Sequence, residues 1–107
     1  EEQFKIAKDI FFEIEKSQKT VIILDVVFME AFFVLTKLYQ LPKSEVLNDL
    51  KSILALDGVV NSDKVILNEV FNLIENKNID FVDALLCAKS KLQGFEKISF
   101  DKDLKKC

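Results

Sequence analysis

The sequence predicts an α/β domain with a short parallel sheet flanked by helices. Three observations carry that expectation. Short β-prone runs, Thr20–Leu24, Val59–Val60 and Phe95–Phe100, alternate with segments of helical periodicity. Strands separated by helices call for right-handed crossovers and hence parallel pairing. The chain of 107 residues is 50% hydrophobic and 31% charged, a globular composition large enough for one core. Its two glycines and one proline leave little room for long loops, so residues 1–107 are expected to form a single domain.

Phe4, Ala7, Ile10, Phe11 and Ile14 recur at helical spacing with charged residues between them, the pattern of an amphipathic helix. Phe12 falls off that face and belongs either to a partner interface or to packing under a loop. Ser17-Gln18-Lys19 breaks the pattern. Thr20-Val21-Ile22-Ile23-Leu24 then reads as a buried, two-sided strand. Asp25 is the expected N-cap of the next helix. From Val26 to Leu35 every residue but Glu30 is apolar, so this helix is expected to lie buried at the centre. A carboxylate in such a helix is costly unless it is paired, metal-bound or turned to solvent, and the residues leave these alternatives open.

Leu41-Pro42-Lys43 opens a further helix, with proline in its first turn and Val46, Leu47, Leu50, Ile53 and Leu54 on one face. Asp57-Gly58 ends it before the minimal strand Val59–Val60. Asn61-Ser62-Asp63 supplies N-cap residues for a helix through Ile66, Val70, Leu73 and Ile74, which stops at Asn76-Lys77-Asn78. Asp80 is placed as the N-cap of the following helix. Asp83 lies in its first turn, where the helix dipole favours negative charge, and Gly94 suits a left-handed C-terminal residue. Asp101 falls just past the carboxyl end of the run Phe95–Phe100, where ligands bind in open α/β sheets. Carboxylates from two elements are thus expected at one sheet edge. Lys102 to Cys107 complete the chain as a last turn or a tail.

Composition excludes several chemistries. There is no histidine and there are only two cysteines, so zinc sites, histidine-based acid–base catalysis and a disulfide framework are ruled out. Any metal would be held by carboxylates, which suits magnesium or manganese. The net charge of −3 argues against broad, non-specific nucleic-acid binding, and all fifteen basic residues are lysine. Lys89, Lys91, Lys97, Lys102, Lys105 and Lys106 cluster late in the chain, either as phosphate contacts or as a solvated face. No apolar run reaches membrane-spanning length.

The segment Asp80-Phe81-Val82-Asp83-Ala84-Leu85, followed by a strand running into Phe100-Asp101-Lys102-Asp103-Leu104, resembles the C-terminal half of a PIN domain. This is the metal-dependent ribonuclease fold of VapC-type toxins. The likeness continues upstream helix by helix. Glu30-Ala31-Phe32-Phe33-Val34-Leu35 with Tyr39 is similar to the family's acid-bearing helix. The resemblance implies a three-layer α/β/α fold and a cytoplasmic endoribonuclease, the toxin of a toxin–antitoxin pair. It implies Glu30, Asp83 and Asp101 as catalytic, metal-binding acids for Mg2+ or Mn2+. Asp80 and Asp103 would be supplementary ligands, and Ser99 would hydrogen-bond a ligand carboxylate or the phosphate. The ion would activate a water for in-line attack on an RNA phosphodiester. Taken singly, each acid also has a structural explanation: Asp80 and Asp83 suit any helix start, and Asp101-Lys102-Asp103 suits a solvated turn.

Expected partners are RNA, a small antitoxin docking on a surface that includes Phe11, Phe12, Phe32 and Phe33, and a second copy in a homodimer. The family opens with a hydrophobic strand ending in Asp, at the middle of the sheet. No such segment precedes Glu1, so the domain is expected to be N-terminally incomplete, with strand exchange or dimerisation as the remedy for unpaired backbone. The absent first acid also supports an alternative, a non-catalytic PIN-derived interaction or dimerisation module. A helical protein without a sheet is the third reading.

Overall fold

The computed structural model describes residues 12, 16 and 19–94. Four α-helices are found among them: α1 (Asp25–Phe33), α2 (Lys43–Leu54), α3 (Lys64–Lys77) and α4 (Phe81–Gln93). A π-helical turn, Val34–Leu38, continues α1, and the Tyr39 N–H donates to the Val34 carbonyl across it at 3.1 Å. The helix expected before residue 17 and the strand expected at 95–100 lie outside the described residues, Phe12 and Lys16 excepted. Phe12 is exposed, with the Lys16 ammonium 4.2 Å from its ring centroid.

The later helices follow from spacing and caps. Val46, Leu47, Leu50 and Leu54 bury one face of α2; Leu67, Val70, Phe71, Leu73 and Ile74 bury that of α3. Asn78 ends α3 in the left-handed region at φ 53°. There the Lys43 ammonium donates to the Ile74 carbonyl at 2.9 Å and to Asn78 Oδ1 at 3.5 Å. One orphaned carbonyl of the last turn is thereby satisfied, and a cation stands at the negative end of the helix dipole. Gly94 ends α4 at φ 74°, a conformation without penalty for glycine.

The two helices α3 and α4 pack as a hairpin, and Phe71 is its centre. Its ring meets Phe28 of α1 at 5.6 Å and Phe81 of α4 at 6.2 Å between centroids, both edge to face. Such pairs add to the burial of the rings themselves. Cys87 is buried in this core. The surface pairs Lys91–Glu69 at 3.0 Å and Lys51–Glu75 at 3.4 Å tie helices together at small net gain. Among the described residues no helix is long and apolar enough to cross a membrane.

Two features depart from expectation. The sheet is not seen among the described residues, which hold an isolated parallel bridge between Val21 and Val59 and no strand. The Val21 N–H donates to the Gly58 carbonyl at 2.7 Å, and the Val60 N–H donates to the Val21 carbonyl at 2.9 Å. The parallel direction is the one expected. The ladder stops because the main chain turns after Val60 toward the start of α3. The Asn61 side chain takes the vacated place. Ile23 N–H donates to Asn61 Oδ1 at 2.9 Å, and Asn61 Nδ2 donates to the Ile23 carbonyl at 2.6 Å and to Asp63 Oδ1 at 3.0 Å. Asn61→Ala strands both main-chain groups of part-buried Ile23, so it is expected to cost about 2 kcal/mol. Urea unfolding would read this as a lower midpoint at unchanged slope.

The second departure, and a correction, is α1. It was expected to be buried all round, yet only Phe28 is fully buried, and Val26, Val27 and Phe33 are 48%, 50% and 58% exposed. The helix packs one side against α2 and the core, and no described element covers the other. Its N-cap is Leu24, not Asp25, which is the first helical residue.

Candidate functional site

The start of α4 positions two of the expected acids, Asp80 and Asp83. Asp80, extended at φ −79° and ψ 172°, accepts a hydrogen bond from the Asp83 N–H at 3.1 Å. This is a side-chain N-cap, and it fixes the first turn in which Asp83 sits. The two acids then diverge. Asp80 remains exposed, whereas Asp83 is 5% exposed, one of two buried polar residues among those described. Asp80→Ala is expected to lower stability by about 1 kcal/mol through the lost cap. Asp80→Asn keeps the acceptor and removes only the charge. Thermal unfolding of the two variants therefore separates capping from any role of the carboxylate as a ligand.

Glu30 is exposed on α1, beside a shallow apolar hollow of about 300 Å³ formed with Met29, Phe33 and Val34. It lies two residues after Phe28, and two residues turn a helix by roughly 200°. With Phe28 held in the core, Glu30 is therefore carried to the outer side. Its carboxylate is open to solvent and stands on a different helix from Asp83. The chain Phe28–Phe71–Phe81 links the helices bearing Glu30 and Asp83. Asp101, Ser99 and Asp103 lie outside the described residues.

The donor chemistry of the expected acids fits a hard divalent cation, since carboxylate oxygens are what magnesium and manganese prefer. Among the described residues, however, no three acids gather into a group able to hold an ion. Glu30 and Asp83 alone do not form a metal centre.

A groove of about 480 Å³ opens beside Asp80, between the π-helical turn and the α3–α4 junction. Phe32, Leu41, Ile74 and Ile79 give it an apolar floor; Thr36, Lys37, Lys43, Asn78 and Asp80 supply its polar rim. Sequence reading did not find it. Lys43 and Asn78 were visible only as a helix start and a helix stop, and no local signal announces that the two meet.

A family model described as PIN domain matches residues 2–107. The chain therefore belongs to the PIN domain family. No curated protein and no solved structure matches it. PIN domains have an α/β fold and are in general nucleases, usually working with divalent metal ions.

Proposed function

We propose that the chain is an endoribonuclease, the toxin of a cytoplasmic toxin–antitoxin pair, which hydrolyses RNA phosphodiesters at a site built on Asp83. The observation that carries this reading is the buried carboxylate of Asp83 in the capped first turn of α4, within a chain that matches the PIN model almost end to end. Buried acids cluster at functional sites. Asp80 holds the turn through its cap. Glu30 and Asp101 are the proposed companions of Asp83, with Asp103 and Ser99 in support. A magnesium or manganese ion held by these acids would neutralise charge at the scissile phosphate. The exposed rings of Phe12 and Phe33 are proposed antitoxin contacts, and the open face of α1 is proposed for dimerisation.

The test is cleavage of a fluorescently labelled single-stranded RNA by the purified chain. Cleavage is expected with added Mn2+ or Mg2+ and is expected to vanish with EDTA. A second reading, a PIN-derived interaction module without catalysis, is favoured by the exposed apolar side of α1. Intact RNA in the presence of either metal would leave that reading in possession.

A further inference from the structure

We infer that the groove between the π-helical turn and the α3–α4 junction is a single-stranded RNA subsite, in which Lys37 holds a phosphate and the apolar floor receives a base. The inference deepens the nuclease reading and rests on it for the substrate class. Its own basis is the composition and construction of the groove.

At about 480 Å³ the groove is of ligand-binding size. It joins two features that single-strand binders combine, a cationic rim and an apolar surface carrying an aromatic ring. Phe32, half buried, is that ring, flanked by Leu41, Ile74 and Ile79. The charged groups of the rim are Lys37, Lys43 and Asp80, so the groove is locally cationic although the chain as a whole carries −3. Asp80, the one anion, has an oxygen engaged by the Asp83 N–H. Lys43 is committed to the end of α3, donating to Ile74 and Asn78, and of its three donors one is left over. Lys37 is exposed.

The walls are held in uncommon backbone. The π-helical turn carries Thr36 and Lys37 into the rim, and Thr36 Oγ1 donates back to the Phe32 carbonyl at 2.7 Å. Such turns are rare and frequent at functional sites. Gln40 and Asn78 follow helix ends in the left-handed region, at φ 55° and 53°, and turn the chain sharply there.

The experiment measures binding apart from cleavage. Anisotropy of a labelled oligouridine is followed on the chain carrying Asp83→Asn, with and without a second substitution. Lys37→Glu is expected to weaken binding about tenfold and to lower the slope of log affinity against log salt by about 0.7, the share of one single-strand phosphate. Lys37→Arg is expected to bind like its parent. Lys16→Glu, an equal charge reversal at an exposed site outside the groove, is expected to change affinity by less than about twofold.

Equal losses for Lys37→Glu and Lys16→Glu would reduce the effect to net charge and overturn the inference. So would undiminished binding by Lys37→Glu, or no binding by the parent. Cleavage by the wild-type chain is scored separately. A chain that cleaves RNA while Lys37→Glu binds undiminished refutes the groove and spares the nuclease. Lys37-dependent binding without cleavage does the reverse.

Discussion

Asp83→Asn is expected to leave the chain folded and to slow RNA cleavage by about a hundredfold or more, the scale of loss when a group acting in the transition state is removed. The substitution is chosen for its shape. Asparagine is nearly isosteric with aspartate, and the bond from residue 83 to the Asp80 cap uses the backbone N–H, which every side chain leaves in place. The turn is therefore retained while the buried negative charge is lost. Circular dichroism and urea unfolding establish that the variant is folded. Cleavage at the wild-type rate in a folded variant would make Asp83 a structural acid and remove the foundation of the nuclease reading. Glu30→Gln provides the contrast. Glu30 is exposed, so its loss should leave stability nearly unchanged, and any fall in cleavage reports directly on its chemistry.

The largest loss of stability is expected from Phe71→Ala, about 3–5 kcal/mol. Phe71 is fully buried and its ring is the middle member of the aromatic chain from α1 to α4. Truncation removes the transfer free energy of the ring, opens a cavity and cuts both edge-to-face contacts. Domains of this size have a total stability of about 5–15 kcal/mol, so the variant should sit close to its unfolding threshold. Phe71→Leu, which keeps most of the volume, should lose far less. The check is the urea midpoint of both variants. Similar midpoints would mean that the core repacks around this position and that the aromatic chain does not hold α1 to the hairpin.

The helices of the second half were legible because their signals are local. The spacing of Val46, Leu47, Leu50 and Leu54, the stop at Asn78, the cap at Asp80 and the left-handed Gly94 each act within a turn or two of chain. The exposure of α1 was not legible. Composition says that Val26, Val27 and Phe33 favour burial; whether they achieve it depends on what packs beside them, which is a tertiary matter. The segment Asn61-Ser62-Asp63 does hold the N-cap position, at Asp63, but the second role of Asn61 was not legible, for a related reason. The amide that suits an N-cap suits a main-chain partner equally well, and only the proximity of Ile23 decides between them. The π-helical turn has no sequence signature of its own. Of the candidate site, Asp80 and Asp83 were placed correctly on α4 by the capping pattern, and Glu30 on α1. Their assembly with Asp101 is a long-range arrangement that local spacing does not encode.

The Asn61 latch has a consequence for the order in which the chain acquires and loses structure. Its bonds to Ile23 join residues 38 apart in sequence, across both α1 and α2, whereas α3 and α4 are joined through residues 78–80 alone. Closing the longer loop costs about 2 kcal/mol more in chain entropy. The α3–α4 hairpin is thus expected to form early, with the Thr20–Phe33 segment docking onto it late and opening first in the native state. In hydrogen exchange the Ile23 amide should lose protection well before the amides around Phe71. Asp83 belongs to the early, durable unit and Glu30 to the late, labile one. Their meeting would then be an event with its own equilibrium, and a partner that clamps α1 would act on activity through that equilibrium without touching either acid.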